Sequence, residues 1–111
     1  MFVTWSKYGK QLRGCVGIFD EMHNLGDSLQ HISIKAATKD SRVPPITKYE
    51  VPYLSCEISL LTDFEDIYDP LDWEVGKHGT EIEFKANMNE EKTYKGTFLP
   101  DVAPERGYNQ W

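Results

Sequence analysis

At 111 residues the chain has room for one domain with a modest core, and a composition of 40 % hydrophobic and 27 % charged residues is that of a globular protein. A net charge of −6 with no Lys/Arg cluster repels a phosphate backbone, so nucleic-acid binding is disfavoured. No apolar run nears the roughly 20 residues of a membrane-spanning helix and no signal peptide is visible at Met1, so no membrane role is expected; two cysteines in such a chain read as reduced thiols of a cytoplasmic or nuclear protein.

Phe2-Val3-Thr4-Trp5 is β-prone, and Lys7-Tyr8-Gly9-Lys10 reads as a turn into a second strand over residues 12–19. That strand, Leu12-Arg13-Gly14-Cys15-Val16-Gly17, carries an arginine, a cysteine and two glycines where packing residues are usual. Period-two alternation puts Leu12, Gly14, Val16 and Ile18 on one face, the expected core, and Arg13, Cys15, Gly17 and Phe19 on the other. A cation two residues from a thiol on one face lies about 7 Å away and favours the reactive thiolate. Glycine inside a strand marks a bulge or a close approach of backbone or ligand.

A polar loop over residues 20–24 follows. The spacing of Leu25, Leu29, Ile32, Ala36 and Ala37 then predicts a helix capped by Asp27 or Ser28, ending near Lys39 ahead of Pro44-Pro45. Residues 56–61 read as a strand, with Leu54, Cys56, Ile58 and Leu60 turned to a core. The long irregular stretch 63–79 is expected to pack down through Tyr68, Leu71, Trp73 and Val75. Residues 80–86 and 92–99 predict a second hairpin with Ile82, Phe84, Tyr94 and Phe98 inward. Ala103-Pro104-Glu105-Arg106 reads as the start of a helix cut short at Trp111.

These blocks, in this order, resemble the AMMECR family, named for the Alport syndrome, mental retardation, midface hypoplasia and elliptocytosis chromosomal region. The resemblance runs nearly end to end through the strands already quoted, Lys39-Asp40-Ser41-Arg42, Pro44-Pro45-Ile46, Ser59-Leu60-Leu61-Thr62, Leu71-Asp72-Trp73-Glu74 with Gly76 and His78-Gly79, and Leu99-Pro100-Asp101-Val102-Ala103-Pro104-Glu105. Val16, where the family usually has isoleucine, and Tyr108, where tryptophan is common, are mild departures. The resemblance implies an α+β fold of sheet hairpins covered by a helix, in two subdomains about a cleft. It also implies that residues 1–111 form a single partial domain, lacking a helical segment before Phe2 and a helix and strand after Trp111. It carries no assigned reaction; an association of prokaryotic relatives with Memo-like and radical-SAM proteins points to small-molecule chemistry.

Two functional readings follow. In the first, a small or peptidic, anionic ligand is bound on a surface of Arg13, Gly14, Cys15, Gly17, Asp40, Ser41, Arg42 and His78. Cys15 is then the candidate catalytic nucleophile, with His23, His31 or His78, the last favoured by flanking glycines, as base. In the second, the chain is a protein-interaction module. Arg13, Asp40 and Arg42 would then form an internal ion-pair network, and Tyr68 and Trp73 would anchor a partner. Metal and cofactor chemistry find no motif: there is no Cys-x-x-Cys or His-x-x-x-His, and the acidic run Asp63 to Asp72 has Tyr68 where a calcium loop needs glycine. Gly76-Lys77-His78-Gly79 lacks the spacing of a phosphate loop. Oligomeric state is not legible.

Overall fold

A computed structural model of the chain describes residues 1–19 and 24–109; of the loop expected over 20–24, residues 20–23, His23 among them, lie outside the described residues. The fold is α+β, and the chain divides into two compact units, Met1–Phe64 and Glu65–Trp111.

The first unit is a three-stranded antiparallel sheet with one helix on it. Strands β1 (Phe2–Lys7), β2 (Gln11–Gly17) and β3 (Leu54–Ser59) stand in the order β2-β1-β3. The β1–β2 hairpin closes at Tyr8 and Gly9, both at positive φ (54° and 69°), with the Lys10 N–H donating to the Lys7 carbonyl at 3.2 Å. Two successive left-handed residues at the centre of this turn give it a twist that matches that of the flanking strands. Residues paired directly across a sheet share a face. Val3 and Trp5 therefore lie with Val16 and Gly14 on one side and with Ile58 and Cys56 on the other.

Helix α1 (Leu25–Thr38) covers that face. Met1, Val3, Ile32 and Ala36 are its buried core, flanked by Trp5, Val16, Ile18 and Leu29. The Trp5 indole N–H donates to the Ser33 carbonyl at 3.0 Å, so the half-buried ring packs on the core with its polar atom satisfied. The cap differs from the one expected. Asn24 stands at the N-cap and its side chain accepts the Asp27 N–H at 3.1 Å, while Asp27 supplies negative charge to the first turn. Starting that early leaves Leu25 outside the core, exposed.

The alternation expected along β2 breaks at one residue. Trp5 pairs with Gly14 and Ser6 with Leu12, so Arg13 has no partner on β1 and forms a β-bulge. Gly14, at φ +156°, lies under α1: a Cβ there would sit 1.8 Å from the Ala36 carbonyl oxygen. A Cβ on Gly17 would meet the Phe2 ring at 2.2 Å. Strand β3 begins two residues before the expected start. Its Cys56, expected in a core, is exposed: it shares the α1 side of the sheet, but α1 packs over β1 and β2.

The second unit holds the hairpin of β4 (Thr80–Phe84) and β5 (Tyr94–Phe98) and the short helix α2 (Val102–Glu105), with Ala103 buried. Thr80, Ile82 and Phe84 share a face with Phe98, Gly96 and Tyr94 as the alternation requires, and Phe84 stacks on Tyr94 at 5.6 Å. That face is not a core, however: Ile82, Phe84 and Phe98 are exposed, and of the four residues expected inward Tyr94 alone is half-buried. Residues 60–79 contain no helix or strand. Trp73 and Val75 are half-buried, but Tyr68 is fully exposed and Leu71 marginally so, against the expectation that all four pack down. Among the described residues no helix is long and apolar enough to cross a membrane.

Candidate functional site

The bulge carries Arg13 inward. Its side chain is 7 % exposed and grips Glu50 with two prongs, Nε donating to Oε1 at 2.8 Å and Nη2 to Oε2 at 3.2 Å, with Nη2 also 3.5 Å from the Pro45 carbonyl. Glu50 accepts the Thr47 N–H at 2.8 Å as well, and Lys7 lies 3.5 Å away. The Arg13 hydrogen bond, then the one from Thr47, hold the Glu50 carboxyl well below its ordinary 4.5, at about 2. Arg13 is correspondingly raised, first by the same hydrogen bond. Glu50 was not among the expected site residues. Thr47-Lys48-Tyr49-Glu50 has the Thr-x-x-Glu spacing of a capping box, which was the available signal that this glutamate folds back on the chain.

Asp40 and Arg42 make a second, separate pair. Arg42 donates from Nε to Oδ1 at 2.9 Å and from Nη2 to Oδ2 at 2.6 Å, and its own N–H donates to Oδ1 at 3.0 Å. The same two residues take hold of Cys15. The Cys15 N–H donates to Asp40 Oδ2 at 2.9 Å, and Arg42 Nη2 donates to the Cys15 carbonyl at 3.2 Å. In an antiparallel sheet the N–H and C=O of one residue point the same way. Those of Cys15 point off the free edge of β2, where an aspartate and an arginine stand in for a neighbouring strand. Hydrogen bonding to Arg42 above all, against the opposing effect of burial, takes the Asp40 carboxyl far below the usual carboxylate range. Arg42 is raised, chiefly by Asp40. Their exposure differs sharply: 5 % for the Asp40 side chain and 60 % for Arg42. Ser41, between them, is exposed.

The Cys15 side chain is half-buried on the face away from α1, where the Thr4 hydroxyl donates to its sulfur at 3.2 Å. Thr4 also pairs with Glu57 of β3, so Cys15, Thr4 and Glu57 cross the sheet as one strip. Cys15 and Cys56 are both free thiols, on strands that flank β1 from opposite sides. The three candidate bases part company. His31 is on the outer side of α1, beside a hollow of about 300 Å³ that Ile34, Lys35, Thr38 and Lys39 also line. His78 belongs to the second unit, where its Nδ1 accepts the Glu74 N–H at 3.0 Å. His23 lies outside the described residues. The structure thus joins Cys15, Asp40 and Arg42, gives Arg13 to Glu50, and uses Gly14 and Gly17 to admit Ala36 and Phe2. Among the described residues no group of three His, Cys, Asp or Glu side chains could hold a metal ion.

The AMMECR1 family model matches residues 1–111. This chain belongs to the AMMECR1 family. An uncharacterized protein of Schizosaccharomyces pombe is 46 % identical over 109 residues, covering 98 % of this chain and 54 % of its own length. An uncharacterized protein of Arabidopsis thaliana is 41 % identical, with 99 % of this chain and 52 % of its own length covered. The crystal structure of an uncharacterized protein from Pyrococcus horikoshii superposes with a TM-score of 0.80 at 31 % identity, over 98 % of this chain and 55 % of that one. The chain therefore spans about half the length of these AMMECR1-family relatives.

Proposed function

We propose that this AMMECR1-family chain recognises a small or peptidic ligand through an anionic group, at the edge of β2 where Arg42 stands beside Cys15. One observation carries the reading: the Arg42 guanidinium is 60 % exposed yet held in place by Asp40 and by the Cys15 carbonyl. A cation oriented in advance loses little freedom when an anion docks, and a planar guanidinium offers donors that match a carboxylate. Thr4 and Cys15 supply a hydroxyl and a thiol beside it, and Ser41 a further exposed hydroxyl. Arg13, Gly14 and Gly17 support the site by shaping β2 and the 45–50 segment, and Asp40 by aiming Arg42.

The two alkylating reagents iodoacetate and iodoacetamide test this directly. Each transfers its carbon to a thiolate as iodide leaves; only iodoacetate carries a carboxylate. Cys15 is expected to prefer iodoacetate over iodoacetamide more strongly than Cys56 does, with the excess preference abolished in Arg42→Gln. Equal preference at the two cysteines, or a preference that survives Arg42→Gln, removes the anion site.

A further inference from the structure

On the sheet face turned away from α1, the strand register sets side chains in rows. Cys15, Thr4 and Glu57 form one row, and Gly17, Phe2 and Ser59 form the next, about 7 Å further along the strands. The first row is polar. The Thr4 hydroxyl donates to the Cys15 sulfur, and Arg42 closes the row at its β2 end. The Arg42 pKa is raised first by the Asp40 hydrogen bond and also by the Cys15 side chain, so guanidinium and sulfur stand close together. Asp40 and the Cys15 carbonyl engage Nε and Nη2, while among the described residues Nη1 makes no hydrogen bond. At the β3 end stands Glu57, whose charge keeps an anion to the β2 side. The second row is aromatic. Gly17 has no side chain, and the Phe2 ring lies in the space a Cβ would take. Phe19 meets Phe2 edge to face with centroids 5.2 Å apart, and Phe64 meets Phe19 in the same way at 5.8 Å. These three rings are separate from the core under α1. A cation with free donors therefore stands about one row from an aromatic cluster, with a thiol and a hydroxyl between them.

We infer that the anionic ligand of this site is an aromatic carboxylic acid, its carboxylate on Arg42 and its ring against Phe2, Phe19 and Phe64. The inference rests on the anion site proposed above and supplies the half of the ligand that reading leaves open. A carboxylate accepts charge-assisted hydrogen bonds from the free guanidinium N–H groups. Rings prefer to meet edge to face, and the cluster offers a further ring the arrangement its own members already use. A free aromatic acid and a peptide ending in an aromatic residue share this chemistry.

Protection of Cys15 from iodoacetamide, at constant ionic strength and with Cys56 as the reference thiol, tests this on the whole chain. Hydrocinnamate carries its ring at the same spacing from the carboxylate as a C-terminal phenylalanine does. It is expected to half-protect Cys15 at a concentration about tenfold below that of acetate, the effect of partly covering one ring. Hydrocinnamamide, which has the ring without the charge, is expected not to protect. N-acetylglycylphenylalanine separates the two sources: stronger protection than by hydrocinnamate marks a peptide end, and equal or weaker protection a free acid. Phe64→Ala is expected to bring hydrocinnamate back toward acetate, and Arg42→Gln to abolish protection by both. Should Phe64→Ala fail to fold, the comparison of acetate with hydrocinnamate on the unaltered chain decides. Equal protection by acetate and hydrocinnamate, protection by the amide, or an undiminished preference in a folded Phe64→Ala overturns the aromatic ligand and leaves the anion site standing. Protection by no carboxylate also overturns it, and the iodoacetate preference of Cys15 then shows whether the anion site falls with it.

Discussion

Gly14 shows how one missing side chain can fix the relation between two elements. Any Cβ at this position would lie 1.8 Å from the main-chain oxygen of Ala36, and backbone inside a packed helix cannot step aside. The helix would have to lift, opening the Val3–Ile32–Ala36 core beneath it. Gly14→Ala is therefore expected to lower unfolding free energy by about 3 kcal/mol in urea titrations, the upper part of the overpacking range. Gly17→Ala meets only the half-buried Phe2 ring, which can turn about its own bonds, and about 1 kcal/mol is expected. Equal losses for the two would mean that α1 is not seated on the β2 backbone as described.

Among elements, the telling case is β2, an edge strand whose exposed backbone is closed by side chains. Asp40 accepts from the Cys15 N–H and three times from Arg42, and it sits in a nearly sealed position. Replacing it with asparagine removes the charge and turns an amide donor toward groups that themselves donate. For Asp40→Asn a loss of about 2 kcal/mol is expected, as for hydrogen bonds to a charged group, with faster hydrogen exchange at the Cys15 amide. Arg42→Gln is expected to cost less than about 1 kcal/mol, because the arginine end of the pair is exposed. An unaltered Cys15 exchange rate in Asp40→Asn would show that the clasp does not guard this edge.

For the molecule as a whole, both of these carboxylates tie stability to pH. Glu50 titrates at about 2 in the folded chain against an ordinary 4.5, and Asp40 is displaced in the same direction. A carboxyl whose folded pKa is depressed binds its proton more readily in the unfolded chain, so acid favours unfolding. Its contribution is complete above the ordinary carboxylate pKa and is lost as pH falls from about 4.5 toward 2. The urea midpoint is accordingly expected to hold from neutrality to about pH 5 and then fall steeply. Glu50→Gln is expected to start lower at neutral pH, because it leaves Arg13 without its counter-charge, and to fall less steeply in acid. Parallel profiles for the two proteins would assign the acid sensitivity elsewhere.

What the sequence determined by itself was local. The Tyr8-Gly9 turn, the helical spacing of Leu29, Ile32 and Ala36 and the alternation of β4 and β5 are written within a few residues of where they act. The ordered family blocks were legible on the same terms. Only tertiary structure decided who meets whom. Arg13 finds Glu50 across 37 positions of chain, and Cys15 finds Asp40 across 25, so neither pairing follows from periodicity. The same holds for Cys56 and Ile82, whose alternation is right but whose faces are uncovered. Alternation tells which residues share a side of a sheet. Burial depends on whether another element comes to lie on that side, and in this chain α1 covers β1 and β2 and leaves β3 open.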